Sequence, residues 1–242
     1  MIYTGKKRPE YYKDILMKAD KDLHLHIFEA FEALGLPKDA KILDFGCGEG
    51  ALSQRLSDAG YQVDSVDIDE VSFKASTHFI RLDFNSADLV SAFIQEHQEG
   101  YDCVLGIEVI EHIENHWEYI KNLKKLVRPG GYILLSTPNV TSWLSRFYFL
   151  FTGRLHQFME QDLSYGHINP ISFWQIEYIF KNLDITLVSN RSAGTLPMFY
   201  FPVFSLKSIL INLFSLLFTP WMGEAGGPKM GWCIITIGQK RD

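Results

Sequence analysis

From Lys41 onward, short β-rich runs alternate with helical segments along the chain. The runs that predict strands are KILDF, YQVDSVD, HFIRLD, YDCVLGI and GYILLST. Helices are predicted between them over 51–59, 86–97 and 117–127, with Pro129, Gly130 and Gly131 ending the last one before its strand. Because parallel strands need a crossover connection that is usually a helix, this alternation predicts a parallel sheet in an α/β fold.

The two ends of the chain extend this core. Residues 1–40 are predicted as an N-terminal helical cap, with helices over 10–19 and 21–34. A helix over 172–182, capped by Ser172, is predicted before two further strands over 185–190 and 232–238. The length of 242 residues fits one domain with insertions, so we expect a single domain over 1–242.

Composition and charge exclude several classes of protein. A hydrophobic content of 47% with 21% charged residues is typical of globular chains and argues against disorder. The net charge of −6 provides no general positive field for a nucleic-acid backbone, which would need a local basic patch. Three cysteines without metal-ligand spacing predict a reducing compartment without disulfides. The N-terminus lacks an apolar run behind its positive charges, so we expect a cytoplasmic protein.

A glycine-rich loop, Leu43 to Gly50, joins the first predicted strand to the first crossover helix. Glycines there allow a tight turn and the close approach of a ligand, but the same spacing also fits dinucleotide sites. Asp44 discriminates between these ligands, because its carboxylate would repel a pyrophosphate and attract an ammonium or sulfonium group. S-adenosylmethionine carries both cationic groups and no phosphate.

Two more acids stand at the ends of later predicted strands. Asp67 lies 21 residues after Gly46, where a carboxylate can accept hydrogen bonds from both hydroxyls of a ribose. Asp83 closes the third predicted strand and is placed to meet an adenine amino group. Ile68 and Phe84 follow these acids and are available to flank the adenine ring.

Together these motifs resemble those of the class I S-adenosylmethionine-dependent methyltransferases. The resemblance covers about 41–138 and is carried by residues 44–50, Asp67, 82–84, 101–102 and 126–131. It implies a Rossmann-like seven-stranded sheet. It also implies that Asp44 and the backbone of Gly46, Cys47 and Gly48 hold the methionine end of the cofactor, that Asp67 holds the ribose, and that Asp83 and its neighbours hold the adenine. Ile107, at the end of the fourth predicted strand, is expected in the same site.

A second constellation follows the fourth predicted strand. Glu108, Glu111 and His112 stand at i, i+3 and i+4, which places them on one face if a helix or turn begins there. Two carboxylates this close repel each other unless a proton or cation lies between them, so a divalent ion is a reasonable occupant. His167 is a further candidate ligand. The alternatives are a solvated helix start, with acids favoured by the helix dipole, and a substrate-binding role for His167.

The order Glu-x-x-Glu-His followed by a distant His resembles two metal-using branches of the fold, the ubiquinone-biosynthesis O-methyltransferases and the small-RNA 3′-end 2′-O-methyltransferases. The resemblance implies that Glu108, Glu111, His112 and His167 form the reaction centre and bind Mg²⁺, or Mn²⁺ or Fe²⁺, which also holds the substrate hydroxyls. We therefore predict O-methylation, with His112 or His167 as proton acceptor. The acidic charge disfavours the RNA branch, and a non-catalytic S-adenosylmethionine-binding regulatory protein is a further alternative.

Two apolar insertions, 140–171 and 192–229, leave the carboxyl ends of strands and should gather over the ligand site. Within the second, polar residues between Ser205 and Thr219 recur at helical spacing and leave a broad apolar face. Its apolar run is too short to span a bilayer. Residues 196–222 can therefore form a peripheral contact with the inner face of a membrane, a buried lid or an oligomer interface. Membrane contact would imply a lipid-linked acceptor, such as a quinone precursor or a glycan, rather than a soluble small molecule.

Overall fold

A seven-stranded sheet organises the computed structural model, which describes residues 9–19, 22–164, 166–193 and 231–241. Two short strands precede the sheet, β1 (Glu10–Tyr12) and β2 (Ile15–Met17). The sheet itself contains β3 (Lys41–Phe45), β4 (Gln62–Asp67), β5 (His78–Arg81), β6 (Tyr101–Ile107), β7 (Val127–Pro138), β8 (Ile185–Ala193) and β9 (Cys233–Lys240). Their order is β5-β4-β3-β6-β7-β9-β8, and among these strands β9 alone runs against the others. The predicted Rossmann-like seven-stranded sheet is confirmed.

Helices connect the strands close to the predicted positions. They are α1 (Leu23–Glu32), α2 (Ala51–Asp58), α3 (Ala87–Glu96), α4 (His116–Leu126), α5 (Trp143–Thr152), α6 (Glu160–Leu163) and α7 (Phe173–Asn182). One boundary was wrong, because α4 ends at Leu126 and β7 begins at once with Val127, which pairs with Tyr101. Pro129 and the two glycines after it therefore lie inside β7, where the pairing with β6 is irregular. Such an irregularity tolerates a proline that cannot donate to the ladder.

The N-terminal cap is only partly helical, so the helix predicted over 10–19 is wrong. This segment forms the β1–β2 hairpin, in which Tyr12 pairs with Ile15 across a two-residue turn. Lys13 in that turn has a left-handed φ of 53°, a conformation typical of tight hairpins and incompatible with a continuing helix. The hairpin packs on α2, where the Tyr12 ring lies 4.5 Å from the Arg55 guanidinium and its hydroxyl donates to Asp58. These contacts outweigh the local helical pattern.

Two apolar layers cover the sheet and fix the ends of its strands. Helices α3, α4 and α7 bury residues such as Phe93, Leu123 and Phe180 on one face, while α1 and α2 bury residues such as Phe31 and Leu56 on the other. Because β3, β4, β5 and β6 are parallel neighbours, their carboxyl ends meet at one edge, where ligands bind in open α/β sheets.

The first insertion, 140–171, contains α5 and α6. The apolar segment 196–222 and most of the second insertion lie outside the described residues, so the helix predicted there and the single-domain assignment over 1–242 stay predictions. Within the described ranges, no helix is both long enough and apolar enough to cross a membrane.

Candidate active site

A cavity of about 1020 Å³ opens at the carboxyl ends of the parallel strands. It is lined by nearly all of the residues that sequence analysis assigned to the site: Asp44, Gly46, Cys47, Gly48, Asp67, Ile68, Asp83, Phe84, Ile107, Glu108, His112 and His167. Asp83 lies two residues beyond the end of β5 rather than in the strand. Glu111 is the exception, since it is fully buried and is not among the described residues that line the cavity. The cavity is large enough for a nucleoside-sized cofactor together with a small acceptor.

The conformation of the glycine loop depends on the backbone of Gly46 and on hydrogen bonds to β4. Gly46 has a φ of 104°, and a Cβ built on it would overlap the side chain of Val109. Its N–H and that of Cys47 donate to the Val66 carbonyl, which fixes the loop to β4. A side chain at Gly46 would therefore both strain the backbone and push away the turn after β6.

Asp44 lies at the end of β3 and is buried, with 2% of its surface exposed. Its Oδ2 accepts a hydrogen bond of 2.6 Å from the Ser53 hydroxyl. Burial raises the pKa of the Asp44 carboxyl to about 6, and the nearby Asp67 adds to the rise while Ser53 opposes it. A buried carboxylate with a raised pKa gains most from a cationic partner, which fits a sulfonium or ammonium group.

The two other strand-end acids are oriented by backbone amides. Asp67 Oδ2 accepts from the Gly48 N–H at 2.8 Å, and its Oδ1 accepts from the Asp69 N–H at 3.1 Å. Asp83 Oδ1 accepts from the Asn85 N–H at 2.9 Å. Because each carboxylate oxygen has a second lone pair, both side chains keep capacity to accept hydrogen bonds from a ligand.

The Cys47 thiol is not a nucleophile in this setting. Burial and the neighbouring Asp44 and Asp67 carboxylates raise its pKa far above the ordinary value, so the thiolate is not populated at neutral pH. Its Sγ donates to the Gly48 carbonyl at 3.7 Å. Cys47 therefore contributes backbone and shape to the loop.

Glu111, His112 and His167 come together, and the two histidines line the cavity. One potential ligand atom from each lies within 4.8 Å of those of the other two, and the two imidazole rings are 5.0 Å apart. His112 Nδ1 donates to the Gly166 carbonyl and His167 Nδ1 donates to the Gln157 carbonyl, each at 2.9 Å. Because a carbonyl only accepts, each Nδ1 carries a proton, and in a neutral imidazole of this kind Nε2 carries the lone pair.

The surroundings of His112 favour its neutral form. Burial lowers the pKa of His112, and the neighbouring His167 lowers it further, so the imidazole of His112 is neutral at pH 7. Imidazoles held by their second nitrogen on a backbone carbonyl are typical of metal ligands and of general bases. The donor set of two imidazoles and one carboxylate fits a divalent cation.

Glu108 does not join this group, so the single helical face predicted for Glu108, Glu111 and His112 is wrong. Strand β6 ends at Ile107, and Glu108 then adopts a left-handed φ of 56°. Helical geometry begins only in the 3₁₀ turn Ile110–His112, so the i, i+3, i+4 rule does not apply from Glu108. The Glu108 carboxylate instead accepts from the Ser136 hydroxyl at 2.9 Å and from the Cys233 thiol at 3.5 Å.

Asn169 positions the histidine pair and was not identified from the sequence. Its side-chain amide donates to the carbonyls of Ile113 and Glu114 at 3.0 Å each, and its backbone N–H donates to the Glu111 carbonyl at 3.1 Å. The loop of His167 is thus tied to the turn of His112. The only local signal was an Asn-Pro step, which predicts a turn but gives no partner.

The first insertion forms the wall beside the histidine pair. His156, Gln157, Met159, Gln161 and Asp162 all line the cavity there. The His156 ring lies 5.0 Å from the ring of Trp232, which lines the cavity from the residues before β9. The first insertion therefore contributes imidazole, amide, thioether and carboxylate groups to the cavity.

Comparisons with known proteins agree with this architecture. The family described as "Methyltransferase domain" matches residues 18–190, which is more than half of the chain. A ubiquinone biosynthesis O-methyltransferase from Rickettsia bellii is 34% identical over 108 residues, covering 43% of this chain and 44% of the relative. One from Idiomarina loihiensis is 34% identical over 111 residues, covering 43% and 45%. The aligned region spans less than half the length of these curated relatives.

Solved structures show the same fold at low identity. An S-adenosylmethionine-dependent methyltransferase from Archaeoglobus fulgidus aligns with a TM-score of 0.58 at 17% identity, covering 89% of this chain and 93% of that one. The phosphoethanolamine N-methyltransferase 2 of Haemonchus contortus, in complex with S-adenosylmethionine, aligns with a TM-score of 0.55 at 17% identity, covering 91% and 53%. With the family match, they identify this chain as a class I S-adenosylmethionine-dependent methyltransferase of the methyltransferase-domain family.

Proposed function

We propose that this enzyme transfers the methyl group of S-adenosylmethionine to a hydroxyl oxygen of an uncharged, largely apolar acceptor, assisted by a divalent cation at Glu111, His112 and His167. In the reaction the C–S bond of the cofactor breaks, a C–O bond forms and the hydroxyl proton is lost. The observation that carries the proposal is the pair of backbone-anchored imidazoles that line the cavity beside a buried carboxylate.

The proposed placement of the cofactor follows the charges of the cavity. Asp44 would face the cationic groups of the methionine end, and Asp67 and Asp83 would accept hydrogen bonds from the ribose and the adenine amino group. Val109 packs at Gly46 and Ile107 ends β6, so both border this placement. The chain would thereby fix the methyl group along the line toward the histidine pair, and such positioning supplies much of the barrier reduction in methyl transfer.

The donor set favours a cation softer than magnesium. Two imidazoles and a single carboxylate suit Mn²⁺ or Fe²⁺, whereas Mg²⁺ prefers oxygen ligands. A bound cation would lower the pKa of the acceptor hydroxyl and leave coordination positions open to it. Glu111 would offset the charge of the cation inside the protein, and Asn169 would keep His167 beside His112.

A second candidate mechanism uses no cation. Because burial and His167 lower the pKa of His112, its Nε2 is unprotonated at pH 7 and can accept the hydroxyl proton directly. His167 would then orient the hydroxyl. The two mechanisms are separated by removing metals from the enzyme.

The lining supports an acceptor without negative charge. Near the histidine pair the wall offers Ile113, Met159 and Trp232 together with the carboxylate of Asp162. Among the described lining residues, no Lys or Arg lies on this side, since Lys18 belongs to the glycine-loop end. A phenolic hydroxyl on a quinone precursor fits such a wall, as the names of the curated relatives also suggest.

A lipid-linked acceptor and peripheral membrane contact are supported by the surface of α5. Phe149, Leu150 and Phe151 are 55%, 74% and 70% exposed, which is unusual for three consecutive large apolar residues. Helix α5 follows β7 at the same edge of the sheet as the cavity. Contact with the inner face of a membrane through this helix would bring the cavity near a lipid-linked acceptor.

Methyl transfer from radiolabelled S-adenosylmethionine to a simple catechol tests the reaction and the cation. We expect metal-stripped enzyme to bind the cofactor but lose most turnover, and Mn²⁺ to restore it better than Mg²⁺. His112→Ala should abolish turnover with unchanged cofactor affinity, while His78→Ala, an exposed histidine on β5, should leave both unchanged. Full turnover by the metal-stripped enzyme in EDTA would refute the proposed role of the cation. Equal methylation of a catechol that carries a carboxylate would refute the proposal that the acceptor is uncharged.

Vesicle flotation tests the membrane contact separately. We expect the full chain to float with phosphatidylcholine vesicles, and the double variant Leu150→Gln, Phe151→Gln to lose this binding. Val71→Gln is the matched control, because Val71 is an isolated apolar residue that is 98% exposed. Equal flotation of all three proteins would contradict a role for α5.

A further inference from the structure

The glycine-loop end of the cavity has a strongly negative lining. Carboxylates of Asp44, Glu49 and Asp67 border it, and those of Glu10 and Asp83 also line the cavity. Lys18 is the one Lys or Arg among the lining residues that the structure describes. S-adenosylmethionine is cationic at its sulfonium and ammonium groups, but its methionine end also carries a carboxylate. That carboxylate would be repelled by this lining unless a cation met it.

Lys18 stands where such a partner is required. It directly follows β2 of the N-terminal hairpin, and its aliphatic stem passes over the glycine loop, because a Cβ on Gly48 would lie 3.7 Å from Lys18 Cδ. The ammonium group is 3.8 Å from Glu49 Oε1, and the side chain is 48% exposed. The group therefore borders both the loop that would hold the methionine end and the open part of the cavity.

Glu49 does not depend on Lys18 for its charge balance. Lys74 binds the other oxygen of Glu49 at 2.5 Å, and this contact is the main cause of the lowered pKa of Glu49. The Lys18 contact is longer, at 3.8 Å, and the Lys18 side chain is half exposed, so solvent weakens this contact. Lys18 can therefore turn toward a ligand without leaving Glu49 unpaired.

We infer that Lys18 binds the carboxylate of S-adenosylmethionine, which makes the β1–β2 hairpin part of the cofactor site. This inference rests on the cofactor placement proposed above, with the methionine end at Asp44 and the glycine loop. It assigns a function to a segment outside the motifs that identify the family. The hairpin is anchored on α2 through Tyr12 and Asp58, so Lys18 is presented from a fixed support.

Calorimetric titration of the full chain with two ligands tests the inference. S-adenosylmethionine carries the carboxylate, and decarboxylated S-adenosylmethionine lacks only that group. Lys18→Met keeps the stem and removes the charge. We expect it to weaken S-adenosylmethionine binding about tenfold, as for one charge-assisted hydrogen bond, and to leave binding of the decarboxylated ligand unchanged. Lys18→Arg should retain most of the affinity.

Lys13→Met provides the matched control, because Lys13 lies on the same hairpin and pairs with Asp58 outside the cavity. It should bind both ligands like the unmodified protein. Equal binding of S-adenosylmethionine by Lys18→Met and the unmodified protein would overturn the inference, as would an equal loss for both ligands, which would show a structural effect of the hairpin. An unmodified protein that binds neither ligand would overturn the proposed cofactor placement itself.

Discussion

Replacing Asp44 by Asn should stabilise the protein at alkaline pH while weakening cofactor binding. Asp44 is buried at the end of β3 and accepts a hydrogen bond from Ser53. Burial raises the pKa of its carboxyl from an ordinary 3.8 to about 6. An Asn side chain has nearly the same shape, and its amide oxygen can still accept from Ser53, so the substitution removes the charge with little change in packing.

The magnitude follows from the difference between the two pKa values. The difference of about 2 pKa units corresponds to about 3 kcal/mol, at 1.36 kcal/mol per unit. Between pH 3.8 and about 6 the native state binds more protons than the unfolded chain, so Asp44 lowers the free energy of unfolding as the pH rises through this window. Above pH 6 the ionised Asp44 lowers the free energy of unfolding by the full amount. Asp44→Asn should therefore raise the melting temperature by about 6 to 12 °C at pH 8.

Thermal unfolding of both proteins without cofactor, at pH 8 and pH 4.5, measures this effect. The gain should be large at pH 8 and should shrink at pH 4.5, where the native carboxyl is already protonated. At pH 8 the variant should also bind S-adenosylmethionine more weakly, because it lacks the anionic partner. Asp58→Asn should lower the melting temperature instead, since Lys13 lowers the pKa of Asp58 and the variant loses that ion pair. A gain at Asp44 that is equal at both pH values would refute the reasoning.

Three further predictions concern the same cavity. Gly46→Ala should lower the melting temperature, and adding Val109→Ala should recover part of the loss, because the overlap disappears while the left-handed backbone stays strained. Burial lowers the pKa of His24 to about 4, so the native state loses stability as the pH falls from 6.5 to 4. The melting temperature of His24→Gln should fall less over this pH range than that of the unmodified protein. Asn169→Ala should weaken Mn²⁺ binding in a titration without changing cofactor affinity, whereas Asn182→Ala, at the exposed end of α7, should change neither.

The central strands β3 and β6 were predictable because each is a short, largely apolar run. Runs such as KILDF and YDCVLGI are buried on both faces, and no competing periodicity interferes with their interpretation. The hairpin at 10–17 was not predictable in this way. Its residues fit a helical pattern locally, and the contacts of Tyr12 with Arg55 and Asp58 that favour the hairpin come from more than 40 positions away.

The site shows the same division between local and distant information. Asp44 and Asp67, at the ends of β3 and β4, line one cavity because the topology of parallel strands brings those ends together. The spacing of Glu108 and Glu111 suggested one helical face, but a left-handed backbone at Glu108 separates them. No sequence motif indicates what Asn169 or Lys18 contacts, because their neighbours are set by the tertiary structure.

The turn after β6 contacts both the glycine loop and the loop of His167. At its start, Val109 fills the space that the missing Cβ of Gly46 leaves, so the turn supports the glycine loop. At its end, His112 donates to the Gly166 carbonyl and meets His167. The left-handed backbone of Glu108 allows Val109 to contact Gly46 and His112 to contact His167. A helix that began at Glu108 would point these two side chains in different directions. A backbone conformation that is unfavourable for a non-glycine residue is thus retained where the proposed cofactor and acceptor sites adjoin.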